Sequence, residues 1–173
     1  MLCVTPSSRK SFVPTKGIIA DRTPRFKILI DDRQRKIRLS KTKIRAWSVK
    51  ILKLLGLKNL SVSVLLVDDK EMSRLHQKFL GIKGPTDVLA FGQERPFLGD
   101  VVISVETARK RAPEFGNRWD KELLLYLIHG MLHLLGLRDT PAKEKKKMRA
   151  KEQEILNQLL GPSWPFKKQK LLF

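Results

Sequence analysis

With 173 residues, 42% of them hydrophobic, the chain is long enough to bury one core, and 36 Lys+Arg against 17 Asp+Glu leave it at +19. The single cysteine, Cys3, excludes a disulfide framework and a cysteine metal cluster. No apolar run approaches the roughly 20 residues that cross a bilayer, and residues 1–15 lack the apolar segment of a secretory signal, so a cytoplasmic protein with no membrane partner is expected. A field of this sign favours polyanions, RNA or an RNA-containing particle first among them, with anionic lipid or a merely solvated surface as alternatives.

Residues 1–24 hold Pro6, Pro14 and Pro24 among Ser, Thr and basic residues without helical or strand period, and read as a disordered basic arm. Residues 25–30 alternate polar and apolar and predict a first strand, ended by Asp31-Asp32. Ser40 caps a helix running to about Leu55, with Ile44, Trp47, Ile51 and Leu55 on one face and Gly56 as its stop. Residues 60–67 are β-branched and apolar, the pattern of a central strand. Asp68 or Asp69 then caps a short helix over 70–80, and residues 81–85 form a loop.

Short strands follow at 87–91 and 99–105, and a short helix from Glu106 carries Arg109, Lys110 and Arg111 before Pro113 and Gly116. Residues 118–135 form a helix whose second half is apolar nearly all round, which marks it as buried and central. In a last helix over 141–160, Met148, Ile155, Leu156 and Leu159 share a stripe, and the opposite face is rich in lysine. Residues 161–173 are a basic tail. The order predicts one α/β (α+β) domain over 25–160, a small mixed sheet of about four strands with helices packed on it.

Two of the three histidines, His129 and His133, fall four residues apart on the buried helix. Residues i and i+4 project side by side, so both imidazoles reach one metal ion, and a metal gives both the polar partner that an apolar core withholds. A pair of hydrogen-bonded core histidines is the alternative. Asp139 follows once Gly136 has let the helix end. With Pro141 at a first helical position, Thr140 is the expected N-cap and Asp139 is left free to turn back. One carboxylate in place of a third imidazole lowers the residual charge of such a site and makes a bound water a weaker acid. The residue after His129 is Gly130, not glutamate, which counts against a peptidase. Glu122, two turns before His129, is a weak candidate for a distant base or for a partner of the ligands, with a surface or capping role as the alternative.

Three blocks now resemble one family, the YbeY endoribonucleases of rRNA maturation: Gly84-Pro85-Thr86-Asp87-Val88-Leu89-Ala90-Phe91, Leu98-Gly99-Asp100-Val101-Val102-Ile103-Ser104, and the segment from His129 to Gly136, with Met148 and Glu152 following at family-like spacing. The resemblance implies a mixed sheet whose edge forms a cleft with the histidine-bearing helix. It also implies one zinc ion held by His129, His133 and the residue now at 139, where the family pattern has histidine. Thr86 and Asp87 would shape the cleft and meet substrate, unless they only close a turn into the strand.

A second departure is Leu80, standing where the family has an arginine thought to contact phosphate. Lys78 or Lys83 would have to substitute as flexible point charges. His76 falls at a family asparagine and reads as a surface histidine. The activity implied is metal-dependent, single-strand-specific RNA cleavage at the 3′ end of the small-subunit rRNA and in ribosome quality control, with rRNA and the small ribosomal subunit as partners. Its alternative is an RNA- or ribosome-binding assembly factor with reduced catalysis.

Overall fold

The computed structural model describes residues 25–161, so the N-terminal arm with Cys3 and the tail beyond Gly161 lie outside the described residues. Four strands, β1 (Phe26–Asp32), β2 (Leu60–Val67), β3 (Val88–Gly92) and β4 (Phe97–Ser104), form one sheet in the order β1-β2-β4-β3. β1 and β4 run parallel to β2, while β3 pairs antiparallel with β4 from Val88↔Ile103 to Gly92↔Gly99. The mixed sheet of four strands matches the expectation, and β2 is central. β1 does not stop at Asp31: its pairing continues through Asp31↔Leu65 and Asp32↔Leu66, with Asp31 exposed at the sheet edge and Asp32 half-buried, accepting from Gln34 Nε2 at 3.4 Å.

The helices are α1 (Lys41–Leu54), α2 (Asp69–Leu80), α3 (Val105–Arg111), α4 (Trp119–Leu134) and α5 (Ala142–Leu160), with one 3₁₀ turn at Ala112–Phe115. Ser40 caps α1 through its hydroxyl, which accepts from the Lys43 amide. The choice between Asp68 and Asp69 resolves into two roles. Asp68 caps α2 by accepting from the Glu71 amide at 2.8 Å. Asp69 instead accepts from the hydroxyls of Ser104 and Thr107 and from Lys110, tying α2 to the β4–α3 junction. At the start of α5 the expectation fails: Pro141, not Thr140, is the N-cap and offers no side-chain hydrogen bond.

Helix α2 covers one face of the sheet, packing its Met72 with Val67, Leu89 and Val102. The other face carries the main core, where α1, α3 and α5 surround α4. Leu124, Leu127, Ile128, Met131 and Leu132 of α4 are all buried, so this helix is held by packing on every side. Each such side chain contributes about 1.5–3 kcal/mol by leaving water. The site is therefore carried by the most deeply buried helix of the fold.

Candidate metal centre

Gly130 brings α4 close to the sheet. A Cβ built there would lie 2.4 Å from Val101 Cγ1 and 3.0 Å from Val88 Cγ2, so only glycine lets the helix lie on β3 and β4 at this depth. The same contact explains why no base can stand beside the first histidine: any side chain at position 130 would enter the sheet. His129 and His133 flank this contact on successive turns.

Their rings meet edge to face, with centroids 4.4 Å apart and planes at 82°. The two Nε2 atoms face each other at 2.8 Å. Asp139 joins them: one ligand atom from each of His129, His133 and Asp139 lies within 4.8 Å of the others. The chain returns to the pair because α4 ends in a glycine cap. Gly136 has φ +86°, its amide donates to the His133 carbonyl, and the Leu137 amide donates to the Leu132 carbonyl.

His129 is fully buried, and its Nδ1 meets Glu152 Oε1 of α5 at 2.5 Å. With the carboxylate accepting from Nδ1–H, the Nε2 lone pair is the one turned toward His133. Burial, and next the neighbouring His129, hold His133 below the ordinary histidine range; Asp139, the Leu137 backbone and Asp87 push the other way and are outweighed. Both prevailing effects favour the neutral imidazole, the form a metal ligand requires.

This donor set fits a divalent cation. Two M–N bonds of about 2.0–2.1 Å at a tetrahedral angle place their nitrogens about 3.3 Å apart, a half-ångström adjustment from the separation here. Were all three to ligate such an ion, a tetrahedral site would keep one position for a substrate or water, the pattern of catalytic rather than structural sites.

A family model described as endoribonuclease YbeY matches residues 29–160. The chain belongs to the YbeY family. An endoribonuclease YbeY of Aquifex aeolicus is 37% identical over 139 residues, covering 77% of this chain and 91% of that protein. One of Petrotoga mobilis is 36% identical over 139 residues, covering 78% of this chain and 96% of that protein. In fold, the chain resembles a protein of Thermotoga maritima solved in solution, with a TM-score of 0.54 and 24% identity, over 84% of this chain and all of that one.

In this YbeY chain the other sequence-predicted residues fall in different places. Thr86 and Asp87 are 2% and 0% exposed, so they do not present themselves to a substrate. One carboxylate oxygen of Asp87 accepts from the Val88 amide at 2.9 Å and from the Thr86 hydroxyl at 3.1 Å, which closes the turn into β3. Its other oxygen is buried without a hydrogen-bond partner among the described residues. The turn-closing role that the sequence offered as the alternative is thus present, while the charge of Asp87 also reaches His133.

For Glu122 burial removes the surface role. It is fully buried, accepts from Asn117 Nδ2 at 3.1 Å, and lies about 10 Å along the helix axis from His129. That places it beside Tyr126, whose phenol is held protonated by burial and by the charges of Glu122 and Asp87. Lys78 and Lys83 are exposed, on α2 and in the loop after it, and the Lys78 ammonium stands 5.2 Å from the Phe79 ring centroid. His76 is half-buried, not a free surface group; its Nδ1 meets the Gly84 carbonyl at 2.9 Å and tethers that loop.

The residue whose role sequence reasoning missed is Glu152. Beyond its family-like spacing, the sharper signal is its place on the apolar stripe of α5, four residues after Met148 and four before Leu156. A carboxylate at a core position needs a polar partner, and here that partner is a candidate ligand.

Proposed function

We propose that this chain is a zinc-dependent, single-strand-specific endoribonuclease that acts in the cytoplasm on the 3′ end of the small-subunit rRNA and in ribosome quality control. The observation that carries this reading is the convergence of the two Nε2 atoms beside Asp139, with His129 fixed from behind by Glu152. Zinc bound there supplies Lewis acidity toward a phosphodiester oxygen or an attacking oxygen.

The chain's own residues do the rest. Glu152 orients His129 and fixes its tautomer; engaged and 1% exposed, it is a positioning residue and not a proton acceptor. His133 offers a neutral nitrogen. Asp139 lowers the formal charge of the loaded site from +2, with three imidazoles, to +1. Lys78, Lys83 and the basic faces of α1 and α5 draw in the RNA backbone and the small ribosomal subunit that carries it.

A second reading, an RNA- or ribosome-binding factor with reduced catalysis, is favoured by Leu80. It is 59% exposed at the family's arginine position, and a leucine neutralises no phosphate. Purified protein is assayed on single-stranded and duplex rRNA fragments alongside His133→Ala and Asp139→Ala, with bound metal measured in each. The proposal expects cleavage of single strands by the metal-bearing wild type and loss of both metal and cleavage in His133→Ala. Tight binding without cleavage by metal-replete wild type selects the second reading.

A further inference from the structure

Between residues 33 and 53 the chain carries nine Lys and Arg and no Asp or Glu. All nine are exposed, on the β1–α1 loop and α1. In their midst a cavity of about 210 Å³ opens between the start of α1 and the start of α4, lined by Trp47 and Trp119 with Arg38, Lys43, Arg118 and Asp120 around them. Fourteen residues of α4 separate Trp119 from His133, about 21 Å along the helix axis, so this cavity is not part of the metal centre.

We propose that this cavity is a second RNA site, taking one unpaired nucleobase against the indoles and its flanking phosphates on the surrounding cations. The volume is below that of sites for drug-sized ligands and suits a single planar ring system. Both tryptophans are half-buried, so their rings are held by the core while part of each stays accessible. Asp120 does not repel a phosphate, because Lys43 at 2.9 Å and Arg118 at 3.3 Å neutralise it, and the three cations leave the lining at +2.

Lys43 is 50% exposed and stands 4.7 Å from the Trp47 ring centroid, at the rim where a phosphate beside a stacked base would meet it. Arg38 is exposed and makes no ion pair among the described residues. Aromatic faces among cations are the chemistry that binds single-stranded nucleic acid without reading its sequence. An acidic protein segment would use the cations but leave the two indoles without a role. The binding itself does not depend on the ribonuclease reading. Its purpose does: a strand anchored here is held several nucleotides from the cut, and a paired base cannot enter.

The test uses the full chain with His133→Ala, to stop turnover, and Trp164→Phe, so that Trp47 and Trp119 are the only indoles. Oligouridylate is titrated against indole fluorescence, and labelled oligouridylate is followed by anisotropy for the further variants. Saturable quenching is expected. Arg38→Gln with Lys43→Gln, both exposed positions, weakens binding about tenfold and reduces the slope of log K against log salt by about 1.4. Trp47→Leu weakens it about tenfold, while Trp47→Phe retains most of the affinity.

Unchanged affinity and salt slope in the Arg38–Lys43 variant overturn the proposal. So does an abasic oligomer of equal length that binds as tightly, since no base is then inserted. Oligoglutamate that quenches and binds as tightly as RNA makes the face one for acidic protein instead. Cleavage of the same RNA by the chain with His133 intact is scored in parallel: no cleavage with the pocket effects present refutes the ribonuclease reading alone, and cleavage without them refutes the pocket alone.

Discussion

Replacing Glu152 by glutamine tests whether the buried carboxylate behind His129 tunes a metal ligand or merely satisfies a core imidazole. His129 is 0% and Glu152 1% exposed, and no solvent can substitute for the lost charge. The introduced amide keeps the volume and an acceptor oxygen for Nδ1–H, so the ring stays in place; what disappears is the negative charge that raises the donor strength of Nε2. Loss of such an outer partner typically costs 10–100-fold in metal affinity, or about 1.4–2.7 kcal/mol. The metal-free fold should lose about 1–2 kcal/mol, because the new amide N–H₂ is buried without an acceptor. Zinc affinity is measured by competition with a chromophoric chelator, and stability by urea denaturation in excess chelator. A folded Glu152→Gln chain whose zinc affinity lies within twofold of wild type would refute the reasoning and return the pair to the status of an ordinary buried hydrogen bond.

Gly130→Ala should destabilise the chain by about 1–2 kcal/mol in denaturant melts, the clash with Val101 outweighing the helical preference of alanine. Val101→Ala in the same chain should recover part of that loss, and a stabilised Gly130→Ala would show that α4 does not lie against β4 as described. Asp139→His should keep one metal per chain and move the cleavage-rate profile to lower pH, since the formal charge of the site rises from +1 to +2. An unchanged profile would show that residue 139 is not a ligand. Asp69 is pushed up by burial, but hydrogen bonds from Lys110, Ser104 and Thr107 outweigh that and hold it below the ordinary carboxylate range. Its contribution is therefore present above that range and lost as pH falls through the lowered value. Asp69→Asn should cost about 1–2 kcal/mol at neutral pH, with the difference from wild type fading as pH falls below the ordinary carboxylate range; a difference that persists unchanged in acid would contradict the assignment.

Much of this was legible in sequence because local rules decide it. The period of apolar residues marked α4 as buried, the i,i+4 spacing of His129 and His133 brought their rings together, and Gly136 announced the reversal that returns Asp139 to them. What sequence patterns left open depends on partners far along the chain. Whether Asp68 or Asp69 capped α2 turned on Ser104 and Thr107, which only the β2–β4 pairing brings to Asp69. The role of Glu152 needed the packing of α5 on α4. That Thr86 and Asp87 are buried and close the turn into β3 depends on tertiary packing that their family block does not reveal. Thr140 lost the cap to Pro141 by a one-residue shift that local preference does not fix.

The central claim is that one zinc ion, held by His129, His133 and Asp139, makes this YbeY chain a ribonuclease. The most direct test strips the metal from purified protein and follows cleavage of a single-stranded rRNA fragment as zinc is returned. Activity should rise with added zinc and level off at about one equivalent per chain, and His133→Ala should stay inactive throughout. Cleavage by the stripped chain that zinc does not change, or full cleavage by metal-free His133→Ala, would contradict the account.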